Sequence, residues 1–256
     1  MYVTISIVGG LGNQLFILAM LLSYAKKYNC IPVLNKVYKK NNHSKINYWD
    51  TIFKNLNINN VQSSIKWDKV VEKSFLYTPT TKPNNNVHLY GYYQSSLYFE
   101  EYKEYIVNLF KNKELFKKAK DCFNDLIKGE TKEIVSIHVR RGDYVNSKSH
   151  IVQPLDYYKK AMDFFPNCTF VVFTNDKKWV LENFYKNIII SDFDEITELY
   201  MTSLCDHNII ANSSFSWWGA YLNDKPEKKV IAPKLWFGSK GPKEWKTIYD
   251  KNWIVI

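Results

Sequence analysis

The two arginines of this chain are adjacent, Arg140 and Arg141, in a protein that carries 35 basic residues and uses lysine for all the others. A guanidinium presents a planar fork of donors that grips phosphate or carboxylate through paired bonds, whereas an ammonium is a point charge. Arginine kept at one place in a lysine-rich sequence therefore points to a phosphate-bearing ligand. The pair follows Ile134–His138, a short apolar stretch that reads as a buried strand, and precedes Gly142-Asp143-Tyr144. In an extended chain His138 and Arg140 share one face and Arg141 points to the other. Gly142 then turns the chain, one arginine holds a ligand phosphate, and the other braces the loop through Asp143. A purely structural Arg–Asp pair is the alternative.

Two other groups could do related chemistry. Gly9-Gly10-Leu11-Gly12-Asn13-Gln14 holds three of the nine glycines and lies between an expected strand, Tyr2–Val8, and an expected helix, Gln14–Tyr28. Its spacing fits neither the dinucleotide fingerprint nor the P-loop. It would still let a ligand approach backbone amides at a helix N-terminus, where anions are favoured; a plain tight turn explains it too. Ala211-Asn212-Ser213-Ser214-Phe215-Ser216-Trp217-Trp218-Gly219 follows a strand and opens a helix. Hydroxyls and amides there suit a phosphate. Helix capping by Ser213 or Ser214, with Trp217 and Trp218 in the core, is the plainer reading.

The elements that would position these groups alternate along the chain. Beyond the first strand and helix, strands are expected at Ile31–Leu34 and Val87–Tyr92, then helices to about Lys128. Residues 36–86, rich in Lys and Asn, give no assignable structure. In the second half, strands are expected at Ile134–His138, Thr169–Thr174, Ile188–Ser191, Asn208–Ala211 and Val230–Ala232. Helices are expected at Asp156–Phe165, from about Asp176, at Glu195–Leu204 and at Ser214–Leu222. Such alternation predicts an α/β fold with parallel sheets covered on both faces, ligands lying beyond the carboxyl ends of the strands. The boundary between halves is expected near Gly129–Lys132, giving domains 1–129 and 130–256.

Bulk properties narrow the function. The net charge is +10, but lysine is scattered without a dense basic run, which argues against a nucleic-acid partner and leaves at most peripheral membrane contact. Aromatics reach 16%, with 19 Tyr and 8 Trp, a composition suited both to a core and to stacking on sugar faces. Cys30, Cys122, Cys168 and Cys205 show no metal-ligand spacing and read as reduced core thiols. Residues 2–8 are too short for a signal-peptide core and no stretch reaches membrane-span length, so a cytoplasmic protein is expected. Asp192-Phe193-Asp194 is the spacing of a metal–diphosphate motif, but it sits where Asp194 would cap the helix that follows. No metal and no cofactor are expected.

Taken together, GGLGNQLF (9–16), HVRRGDY (138–144) and HNIIANSSFSWWGA (207–220) resemble the α-1,2-fucosyltransferase family. YGYYQSSLYF (90–99), FTNDKKW (173–179) and VIAPKLWF (230–237) resemble further family segments, and the likeness spans most of the chain. The resemblance implies two Rossmann-like halves facing each other across a cleft, a GT-B-like glycosyltransferase with an acceptor-side first half and a donor-binding second half. It implies inverting transfer of L-fucose from GDP-fucose to the 2-hydroxyl of a terminal galactoside on a glycan. By the same resemblance Arg140 would grip the donor's β-phosphate, supported by His138 and Arg141. Ser213, Ser214 and Phe215 would line the diphosphate or nucleoside pocket. A carboxylate eight residues before Asp206, here Glu198, would receive the guanine edge. Gly10, Asn13 and Gln14 would face sugar and acceptor. Asp143, Asp176 and Glu198 are the candidate bases. Transfer of another sugar from a nucleoside-diphosphate donor, a nucleotide hydrolase, and a non-catalytic carbohydrate binder are the competing readings.

Overall fold

The structure, a computed structural model, describes residues 1–34, 44–60, 65–184 and 188–256. The chain forms two compact units. One comprises Met1–Asn112 with Glu244–Asp250, the other Lys113–Lys243 with Lys251–Ile256. The first unit thus ends before Lys113 rather than near Gly129. The helix Lys113–Leu126 belongs with the second, where Phe116 meets Tyr200 edge to face at 5.6 Å between ring centroids.

In the first unit five strands make one sheet: β1 (Tyr2–Ile5), β2 (Ile31–Leu34), β3 (Asn59–Asn60), β4 (Asp68–Val71) and β5 (Val87–Tyr90). The order is β3-β2-β1-β5-β4 and each pairing is parallel. Helix α1 (Leu11–Tyr28) is buried along nearly its whole circumference, as its unbroken apolar run LFILAMLL requires. Asn29 ends it in a left-handed conformation, its N–H bonded to Ala25 O, with Lys26 and Lys27 in the negative last turn. Helix α2 (Lys103–Phe110) also belongs to this unit. Within 36–86, part of which lies outside the described residues, β4 was not visible in the sequence. All four of its residues are exposed, so it carries no apolar signature.

The second unit holds α3 (Lys113–Leu126), α4 (Leu155–Met162), α5 (Lys177–Asn183), α6 (Glu195–Leu204) and α7 (Ser214–Leu222). Its strands are β6 (Ile134–Val139), β7 (Thr169–Thr174), β8 (Ile188–Ile190), β9 (His207–Ile209), β10 (Val230–Ala232) and β11 (Ile254–Val255). The sheet runs β11-β10-β9-β6-β7-β8, parallel throughout, which is the doubly wound order with its switch point between β6 and β9. The expected α/β architecture of parallel sheets in two halves is therefore present. The pleat of β6 divides the interior. Val135, Ile137 and Val139 join Tyr157, Tyr158 and Ala161 of α4 and Val180 of α5 in one core cluster. On the alternate positions, buried Ser136 accepts from Asn208 Nδ2 at 2.7 Å, and Asn223 Nδ2 donates to Asn208 Oδ1 at 2.9 Å. Trp217 and Trp218 are fully buried core residues, Trp217 stacked on Tyr221.

Of the cysteines only Cys30 and Cys205 are core thiols; Cys122 and Cys168 are half-exposed, and all four are free. Among the described residues no helix is long and apolar enough to cross a membrane.

One buried side chain ties the end of β9 to two loops. Asn212 Nδ2 donates to Ile151 O (2.9 Å) and Trp236 O (2.8 Å), and Asn212 Oδ1 accepts from Gln153 Nε2 (2.9 Å). Removing it strands buried carbonyls and an amide. Asn212→Ala is expected to lower unfolding free energy by about 3 kcal/mol, read by urea denaturation; a change near zero would mean these bonds are not made in solution.

Candidate functional site

The second unit gathers its candidate residues at the carboxyl edge of its sheet. His138 lies at the end of β6 and Arg140 and Arg141 follow it, Asp176 follows β7, Glu198 lies in the first turn of the helix after β8, and Ser213, Ser214 and Phe215 follow β9. The first group and the last flank the switch point, where open α/β sheets leave a crevice for ligands. Gly10, Asn13 and Gln14 lie in the first unit, at the carboxyl end of its own β1.

The strand's alternation sends the two guanidiniums apart. His138 lies with its ring centroid 5.4 Å from Phe215 of α7. Arg141, one position out of phase with Arg140, turns to the α5 side, where its guanidinium lies 4.4 Å over the Trp179 ring and Nε donates to Asp176 Oδ2 at 3.0 Å. Asp176 Oδ1 meanwhile accepts Trp179 N–H and caps α5. Both oxygens of Asp176 are thus engaged within the protein. The expected brace through Asp143 is corrected: Asp176 holds Arg141, and Asp143 pairs with Arg140 at 2.7 Å. The reason is the pleat, because Asp143 lies just past the turn on the Arg140 side.

Arg140 stays two-thirds buried, with its guanidinium 5.4 Å from the Tyr144 ring centroid. Its Nε is buried without a hydrogen-bond partner. A desolvated charged donor left unpaired is costly, and it is the exposed third of the same side chain that an acceptor from outside the chain can reach. The turn that carries it is fixed by groups the sequence reading passed over. Arg141 N–H donates to Asn175 Oδ1 at 2.9 Å, and Gly142, at φ +24°, lies so close to the Asn175 amide that any Cβ there would collide with it. Tyr144 OH donates to Asn212 O at 3.3 Å, tying the turn to the end of β9. The only sequence signal for Asn175 and Tyr144 was their place inside FTNDKKW and HVRRGDY.

Facing this turn is the N-terminus of α7. Ser213 occupies the cap position but its side chain makes no cap hydrogen bond, and the first turn carries no acidic residue. The alternative reading, side-chain capping by Ser213, is therefore not what this helix uses. The positive end of its dipole favours an anion there. His138 is fully buried and its Nδ1 lacks a partner; burial and then the Arg140 charge hold its pKa down at about 3, so it is neutral near pH 7. Glu198 is pushed the other way. Burial raises its carboxyl to about 7, opposed by Ser191, the Phe193 N–H (3.4 Å) and Lys177. At Asp192-Phe193-Asp194, Asp194 caps α6 through Ile196 and Thr197 N–H, and Asp192 pairs with Lys177.

In the first unit Gln14 Nε2 donates to Gly9 O at 2.9 Å, leaving Gln14 Oε1 buried and unpartnered, and Gln94 Nε2 donates to Asn13 Oδ1 at 2.9 Å. A Cβ added at Gly10 would meet open space. The loop thus presents neutral donors and acceptors rather than charge. Gln94 was missed by sequence reasoning except as part of YGYYQSSLYF.

Comparison with known proteins gives these groups a context. The model of glycosyl transferase family 11 matches residues 1–256. The O-antigen biosynthesis glycosyltransferase WbnK of Escherichia coli is 32% identical over 200 residues, 71% of this chain but 65% of its own length, so the match spans just under two thirds of that relative. An alpha-1,2-colitosyltransferase of Escherichia coli is 30% identical, with 90% of each chain covered. Among solved structures, the NodZ alpha-1,6-fucosyltransferase of Bradyrhizobium, soaked with GDP-fucose, superposes with a TM-score of 0.56 over 95% of this chain and 97% of that one. At 12% identity this is a likeness of fold.

Glu198 gives a test of the site's desolvation. Its folded pKa, about 7, exceeds the ordinary glutamate value, so the folded state binds the proton more tightly and stability falls as pH rises from about 4.5 through 7. Glu198→Gln removes that cost. Its melting temperature should exceed the wild-type value at pH 8, with the gain shrinking below pH 7 and nearly gone at pH 4.5. An equal or lower melting temperature at pH 8 contradicts the burial.

Proposed function

Since this chain belongs to glycosyl transferase family 11, matched along its whole length, we propose that it transfers L-fucose from GDP-fucose to the 2-hydroxyl of a terminal galactoside in a glycan, with inversion. The observation that carries the donor assignment is Arg140 Nε, buried without a partner on a charged side chain at the sheet's switch point, with the N-terminus of α7 across from it.

In the reaction the acceptor oxygen attacks the sugar's anomeric carbon as the bond from that carbon to the β-phosphate oxygen breaks. The electron pair leaves with GDP, and the acceptor proton passes to a base or to solvent. Charge develops on the departing diphosphate, and preorganised donors aimed there lower the barrier. Arg140 supplies the cation, and the positive dipole end of α7 adds to it. Ser213, Ser214 and Phe215 line this end of the pocket. His138, held neutral, adds no charge and packs against Phe215. Arg141 and Asp176 act as the brace behind the turn. Glu198 reads the guanine edge as a carboxylate. Asp143, exposed and paired with Arg140, is the base candidate nearest the phosphate grip, and the pairing means it must be released to accept a proton. Gly10, Asn13 and Gln14 contact the acceptor.

We further propose that no metal is required. The carboxylates of Asp192 and Asp194 are already committed, one to Lys177 and the other to the cap of α6, so neither is presented for a diphosphate-bound cation. Activity in EDTA should equal activity with added Mn²⁺; loss in EDTA restored by Mn²⁺ would overturn this.

A second donor is favoured by one specific observation, the colitosyltransferase that covers 90% of each chain. Colitose is fucose without its 3-hydroxyl, so the same GDP grip would serve either sugar. The test is nucleotide release from GDP-fucose, GDP-colitose, GDP-mannose and UDP-galactose with lactose as acceptor. Stimulated release from GDP-fucose supports the proposal; release from GDP-colitose alone moves it to the second sugar. Arg140→Ala should lower kcat about 10²–10³-fold, as loss of a key charge stabiliser does, with the fold intact by circular dichroism. Near-normal turnover in that variant would sink the assignment of Arg140.

A further inference from the structure

The turn after β5 is tightly constrained backbone. Gly91 has φ +158° and Tyr93, a bulky non-glycine residue, has φ +50°, in the left-handed region that such side chains rarely adopt. A conformation of this kind persists only where its surroundings over-determine it. Here they do. Glu72, the first residue after β4, accepts the backbone N–H of Tyr92 through Oε2 at 2.7 Å and that of Tyr93 through both oxygens at 3.1 Å. A Cβ at Gly91 would fall on the Glu72 side chain, so the carboxylate is seated directly against the turn. Tyr93 is buried, its ring edge-on to Tyr98 at 5.1 Å, and Ser95 N–H returns to Tyr93 O at 2.8 Å. The next residue along is Gln94, whose amide donates to Asn13 Oδ1 at 2.9 Å. Burial raises the Glu72 carboxyl's pKa and the two N–H groups pull it back, as expected for a carboxylate removed from water and held by backbone donors.

We infer that Glu72 is a positioning residue for the acceptor: its carboxylate locks the 91–94 turn, the turn aims Gln94 at Asn13, and Asn13 is thereby fixed in the glycine-rich loop. The carboxylate touches no substrate in this scheme. Its effect reaches the reaction through Gln94 and Asn13, and so the inference rests on the proposed role of that loop in receiving a galactoside. The link crosses the switch point of the first sheet, where β5 lies beside β1. It also gives a role to a residue of the segment 36–86.

The experiment compares Glu72→Gln, Glu72→Ala, Gln94→Ala and the Glu72→Ala/Gln94→Ala double variant of the full chain, using GDP-fucose and lactose. Hydrogen exchange over residues 90–95 should rise in Glu72→Ala and less in Glu72→Gln, whose remaining carbonyl oxygen can still accept one N–H. Lactose kcat/KM should fall tenfold or more in Glu72→Ala, led by KM, and partly recover in Glu72→Gln. The Kd for GDP should stay within twofold of wild type, because the proposed phosphate grip lies in the other unit. Adding Gln94→Ala to Glu72→Ala should cost little more, since both variants interrupt one path. Lactose kcat/KM within twofold of wild type, or losses that multiply in the double variant, would overturn the inference. A wild-type chain that binds GDP yet transfers no sugar to lactose would instead count against the proposed acceptor, while unchanged exchange at residues 90–95 in Glu72→Ala would by itself refute the brace.

Discussion

Side chains along an extended strand alternate between its two faces, and the arrangement at the end of β6 depends on this. The two adjacent guanidiniums come just after β6 and take different partners, Arg140 with Asp143 and Arg141 with Asp176. The structure uses both. Arg141 is spent on architecture, stacked on Trp179 and bonded to Asp176, and that anchors the turn from which Arg140 projects. Arg140 keeps one exposed carboxylate partner, Asp143, and one buried donor without a partner. A lysine at either place would fail for different reasons: at 141 it could not stack and bond in one plane, and at 140 it could not present a fixed fork.

Burial also sets the charge of His138 beside Arg140 and of Glu198 in α6. His138 is stripped of water and lies beside a cation, so it stays neutral. Glu198, buried without a strong cationic partner, is raised towards neutrality. The one carboxylate paired with Arg140 is the exposed Asp143, and the N-terminus of α7 adds its dipole. This is the electrostatics on which the proposed anion site rests. The first unit's counterpart is chemically different. There the carboxyl edge of the sheet carries amides and glycine backbone, suited to hydroxyl groups rather than to phosphate. Its single carboxylate of note, Glu72, is turned inward to hold a left-handed turn.

Much of this was legible in the order of residues. Apolar runs located the strands, because a strand covered on both faces must be apolar at nearly every position. Most boundaries of the second half, such as Thr169–Thr174 and Glu195–Leu204, matched directly. The isolation of two arginines among lysines pointed to the phosphate grip, and three motifs pointed to the family. What escaped was whatever had no periodic signature: β4, with every residue exposed, the two-residue strands β3 and β11, and the piece Glu244–Asp250 that joins the first unit from the far end of the chain.

The sequence by itself determined the fold class and the family, and it nominated the candidate side chains, because these follow from local pattern and residue type. Tertiary structure alone decided the pairings. That Asp176 and not Asp143 braces Arg141, that Asn175 excludes any side chain at position 142, and that Glu72 reaches across twenty residues to Tyr92 and Tyr93 are contacts between strands distant in sequence. Burial, too, belongs to the folded state. Glu198 and His138 are ordinary titrating residues in an extended chain, and only removal from water moves their protonation in opposite directions along the scale.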